Sequence, residues 1–119
     1  MTKNPSTSNA DLTTALREIT LAELYRSEGK DGKARVCARR AVGFALAARH
    51  PNEPRYKTMN SMNLIREARS EPDLTDEVAK YLDQMVARVD ENFELPVEID
   101  LIDSARRIIH FYFPEESGQ

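Results

Sequence analysis

The sequence predicts an all-α protein, an up-and-down bundle of four longer helices and one short helix. Three observations lead there. Apolar residues recur three and four positions apart almost throughout, and nowhere does the apolar/polar alternation of a half-buried strand persist. The chain has only four glycines, and its Asp31-Gly32 pair has charged flanks, which leaves hairpin turns without support. Prolines fall between the periodic runs, where they end helices and separate them.

The first helix starts after Ser6, Thr7, Ser8 and Asn9, any of which can cap it, and runs through Leu12, Leu16, Ile19, Ala22 and Tyr25 to Gly29. Asp31 can cap the second, in which Ala34, Cys37, Ala38, Ala41, Phe44, Ala45 and Ala48 form one stripe that Pro51 closes. A turn this short makes the two antiparallel neighbours. The alanines admit close approach of another helix axis, so the second helix is expected at the centre. The segment NEPRYKTMNSMN reads as a loop, and from about Ser61 the spacing of Met62, Leu64, Ile65 and Ala68 suggests a short helix closed by Pro72. Asp73 or Thr75 then caps the cleanest amphipathic run, Leu74, Val78, Tyr81, Leu82, Met85, Val89 and Phe93, broken at Leu95-Pro96. The last helix begins near Val97, carries Ile102, Ala105, Ile109 and Tyr112 on one face with Leu101 and Ile108 beside it, and ends before Pro114. The expected organisation is a tail over 1–8, one helical domain over 9–113 and a tail over 114–119.

Composition bounds the rest. A chain of 119 residues buries roughly two-thirds of its extended surface, enough for one core without staples. Cys37 is the only cysteine, so no internal disulfide forms, and a reducing cytoplasm is the expected compartment. No apolar run is long enough for a membrane span, and MTKNPSTSNAD does not read as a signal peptide. The net charge of −3 is unevenly spread: residues 26–57 carry +6 and residues 71–119 carry −9. Such a division suits either an anion-binding surface or two segments that neutralise one another.

Strong chemical signatures are missing from the sequence. It contains no glycine-rich phosphate loop, no Cys-x-x-Cys, no His-Glu-x-x-His and no calcium loop, so no cofactor and no metal is expected. Cys37 lies on the alanine-rich face, where a small buried hydrophobe is the ordinary reading. His50, at the end of the second helix, reads as a capping residue. The candidate anion- or nucleotide-binding residues are Arg35, Arg39, Arg40, Arg106, Arg107 and His110. Arg35 and Arg39 are one turn apart with Arg40 beside them and can grip phosphate bidentately. Asp103, Arg106 and His110 share a ridge with Arg107 alongside, which could serve phosphate binding, or phosphodiester cleavage with the arginine stabilising charge and the imidazole moving a proton. Asp103 and Arg107 can equally form a solvated helix pair. Phe111-Tyr112-Phe113 makes the end of the last helix too apolar to stand half exposed, and a second copy of the chain is the simplest cover.

The phrase AELYRSEGKDGKARVCARRAVGFALAARH, two helices around a glycine-containing turn, followed by YLDQMVARVD and IDLIDSARRIIHFYF, resembles HEPN domains (higher eukaryotes and prokaryotes nucleotide-binding) over roughly residues 9–113. The resemblance implies a bundle of four or five helices that dimerises. It implies a role in nucleotide binding, in partnership with a minimal nucleotidyltransferase, or in RNA cleavage within toxin–antitoxin systems. The family's ribonucleases carry an arginine, four to six residues and then a histidine. Here Arg106 and Arg107 precede His110 by only three and two intervening residues, and Arg49 and His50 are adjacent. The resemblance therefore favours a non-catalytic member that binds a nucleotide, an RNA or a nucleotidyltransferase-type protein; a degenerate ribonuclease using His110 is the alternative. Ala22, Tyr25, Ala34 and Ala41 also fit a tetratricopeptide repeat, an adaptor scaffold. One repeat period later stand Tyr56, Met59, Ala68 and Thr75, a poor echo of a unit that needs about three copies to bury its faces.

Overall fold

A computed structural model describes residues 10–87 and 99–117, and these are helical with no strand among them. In chain order the helices are α1 (Ala10–Ser27), α2 (Asp31–Ala48), α3 (Pro54–Thr58), α4 (Ser61–Arg69), α5 (Asp76–Met85), α6 (Leu101–Tyr112) and α7 (Pro114–Ser117). None is long and apolar enough to cross a membrane.

Backbone chemistry sets the ends. Gly29, at φ +76°, takes the left-handed position that closes α1; its N–H donates to Arg26 O, and Lys30 N–H reaches back to Tyr25 O at 2.9 Å. Lys30, not Asp31, occupies the N-cap of α2, and Asp31 is the first helical residue. Side-chain caps stand at three later starts. Asn60 Oδ1 accepts from Asn63 N–H at 2.8 Å, Thr75 Oγ1 from Val78 N–H at 3.1 Å, and Asp100 Oδ1 from Asp103 N–H at 3.1 Å.

The antiparallel α1–α2 pair packs along its length, and α2 also meets α4 and α6, while α5 lies against α4 and α6. The second helix is therefore the hub. Its buried face is built almost entirely of small residues, among them Ala34, Cys37, Ala38, Ala41 and Ala45. Beyond Val42 and Leu46 of α2 itself, the larger side chains come from the helices around it: Leu12 and Ile19 from α1, Leu64 and Ile65 from α4, Leu82 and Met85 from α5, Ile108 and Ile109 from α6. At one point the approach is extreme. A Cβ placed on Gly43 of α2 would lie 2.8 Å from Ser61 Cβ and 3.1 Å from Ser61 Cα, so only glycine fits against the first turn of α4.

Several elements differ from their expected extents. The segment read as a loop contains α3, because Pro54 can occupy a first-turn position and Tyr56 finds a buried place in the core. The expected C-terminal tail begins with α7, again with a proline at its start. Helix α5 ends at Met85, and Val89 and Phe93, assigned to its stripe, lie outside the described residues. Helix α6 starts at Leu101, where Asp100 caps it, later than the expected start at Val97, which also lies outside the described residues.

Candidate functional site

The six candidate residues do not converge. Arg39 is half-buried and turns toward the end of α5, where its Nε donates to Met85 O at 2.7 Å and its Nη2 to Ala87 O at 3.0 Å. It thereby satisfies carbonyls that the helix end leaves without partners. Burial, and then the neighbouring Arg35, push its pKa below the ordinary guanidinium value. Arg40 lies 3.4 Å from Glu18 of α1, whose side chain is largely buried and whose Oε1 has no hydrogen-bond partner among the described residues. Cys37 is buried beside this pair, where burial and the Glu18 carboxylate push its thiol pKa up against the opposing charge of Arg40.

On α6, Arg106 pairs with Glu23 of α1, and Arg107 Nε donates to Asp103 at 2.9 Å. That bond holds the Arg107 pKa above its usual value. His110 stands on the same helix, exposed, with no side-chain hydrogen bond among the described residues. His50 faces Glu53 at 3.4 Å and stacks on the Tyr56 ring at 4.2 Å, while Arg49 holds the C-cap of α2, so His50 packs against α3 where sequence placed it as a cap. Arg49 also lies over the Tyr112 ring and bonds Glu71 at 3.0 Å.

Arg35 is the exception. It is half-buried in a shallow cavity of about 370 Å³ with Arg26, Asp100 and Ile99, and forms no ion pair among the described residues. Two acids also line the cavity, Asp31 and Asp100, and of these Asp100 is already matched by Arg26 at 2.9 Å.

A different surface draws attention. Leu24 and Val36 are 51% and 52% exposed, more than any other large apolar residue described, and Phe111 follows at 37%. Phe111 meets Tyr112 edge-on at 4.9 Å, and Phe113 packs partly against the core. The sequence carried a signal for Leu24 and Val36, since both lie off their helices' apolar stripes. Their neighbourhood could not be read without knowing how α1 and α2 are rotated against each other.

No group of histidine, cysteine or carboxylate side chains among the described residues could hold a metal ion. No protein-family model, curated protein or solved structure matches the chain.

Proposed function

We propose that the chain is an HEPN-like helical binding module, without catalysis of its own, that works by holding a protein: a second copy, a nucleotidyltransferase-type partner, or both. One observation carries the reading. Four of the five candidate arginines already have partners within the chain, Arg39 at the end of α5, and at the half-exposed surface Arg40 with Glu18, Arg106 with Glu23 and Arg107 with Asp103. A phosphate arriving at these positions must displace an existing partner, whereas apolar side chains on the α1–α2 pair remain open to a protein surface. The same pairings weaken the ribonuclease alternative, because each arginine beside His110 already holds a carboxylate.

Arg35 favours a second reading, a weak nucleotide or RNA site in the cavity it shares with Arg26. Titration separates the two. The pure protein titrated with ATP and with a short mixed-sequence RNA at physiological salt is expected to give no saturable binding. Saturable binding that Arg35→Ala abolishes would replace the protein-binding reading with the anionic one. RNA incubated with the wild type and with His110→Ala is expected to stay intact in both.

A further inference from the structure

The exposed apolar residues of the α1–α2 pair belong to one face. Leu21, Leu24 and Tyr25 are spaced three and four apart on α1, which places them on one side of that helix. Across a recess of about 300 Å³, Val36 of α2 faces Leu21 and Tyr25. Leu21 and Tyr25 are partly buried against the core, and Leu24 and Val36 stand half in solvent, so the face is apolar but unfinished.

Its border is basic. Lys33 lines the recess and sits 5.5 Å from the Tyr25 ring centre, with Lys30 5.9 Å away. Arg17, one turn before Leu21, is exposed. Arg17 and Lys33 form no ion pair among the described residues, whereas Lys30 meets Glu28 and Arg40 meets Glu18. Two cations without a carboxylate partner among the described residues therefore flank the apolar strip, one beside each helix.

We propose that this face docks an acidic amphipathic helix of a protein partner. The proposal rests on the protein-binding reading above and names the partner's chemistry. Leucine-like side chains spaced three and four apart fill the recess between Leu21, Tyr25 and Val36 and cover Leu24, and carboxylates along the partner's edges meet Arg17 and Lys33. Charge selects this occupant: the face carries more cation than it can neutralise with its own acids, so a neutral or basic helix leaves Arg17 and Lys33 unmatched at the rim.

The test uses a labelled synthetic peptide with leucines three and four apart and glutamates between them, beside the same peptide with lysines replacing the glutamates. Anisotropy with the full chain is expected to show saturable binding of the acidic peptide, weakened by salt, and none of the basic one. Val36→Asp and Leu24→Asp are expected to weaken it by about tenfold or more, with unchanged far-ultraviolet circular dichroism. The paired Arg17→Gln and Lys33→Gln variant, which leaves the apolar groups in place, is expected to lower affinity and flatten the salt dependence. Absence of binding, equal binding of both peptides, or equal binding by Val36→Asp overturns the proposal. So does sedimentation showing a wild-type dimer that Val36→Asp splits, since the face then belongs to a second copy. Each of these leaves the protein-binding reading standing; only saturable ATP or RNA binding in the parallel titration removes that.

Discussion

Gly43 is the position where a single atom decides most. Its missing Cβ is what allows α2 to rest on the first turn of α4, since any side chain would collide with Ser61 and the nearest atoms include backbone. Gly43→Ala is expected to destabilise the fold by about 1–3 kcal/mol in urea unfolding, because the two helices must part before the methyl fits. Gly32 provides the contrast. A Cβ there meets only the far end of the Arg35 side chain at 4.0 Å, so Gly32→Ala is expected to be neutral or to stabilise by up to ~1 kcal/mol through the stiffer unfolded chain. The sequence puts Gly32 at the start of the second helix and Gly43 in its middle but does not tell which is closely packed; that distinction is made by Ser61, eighteen positions after Gly43.

At the level of the element, Asp100 does two jobs. It caps α6 by accepting from Asp103 N–H, and it ties that helix start to α1 through Arg26. Asp100→Ala is expected to cost about 1 kcal/mol, mostly the lost cap, because the ion pair is half exposed. Asp100→Asn retains a capping oxygen and is expected to lose only the smaller part, a difference that high salt erases in urea melts. Helices whose period was unambiguous were legible in the chain: α1 and α2 fall where the Leu, Ile and Ala stripes and Gly29 put them, and Thr75 caps α5 as one of the two expected candidates. What could not be read was short or long-range. Helix α3 is too brief for a period to emerge, and Tyr56, which fixes it, stands among polar neighbours. The role of Arg39 depends on where α5 stops, a fact held by residues more than forty positions away. For the same reason the sequence left open whether the arginines face an anion or find partners within the chain, and of the five candidates all but Arg35 have partners there.

Taken whole, the molecule hides weak acids in neutral form. Burial pushes the Cys37 thiol and the Tyr112 hydroxyl up, and the Tyr112 oxygen has no hydrogen-bond partner among the described residues. In the unfolded chain both ionise at their ordinary values, about 8.5 and 10, while the folded chain keeps its protons. Stability from these groups is therefore complete below the ordinary thiol range and declines as pH rises through it. Urea midpoints followed from neutral to alkaline pH are expected to show this fall, and Cys37→Ala is expected to remove its lower-pH part while leaving the part due to tyrosine. The opposite charges of residues 26–57 and 71–119, +6 and −9, meet only in part across the fold: Arg26 finds Asp100 and Arg49 finds Glu71, but Arg39 turns to the carbonyls at the end of α5, Arg40 to α1 and Arg35 to no acid.

The alanine face of α2 gives the molecule a lopsided tolerance. At its alanine positions and at Gly43 there is nothing to trim and no room to enlarge, whereas the branched side chains of α4, α5 and α6 can trade shapes with one another at constant volume. A saturation library screened for folded chains would come back nearly silent along one edge of α2 and varied at Ile65, Leu82 and Ile108, so the least conspicuous residues would prove the hardest to replace.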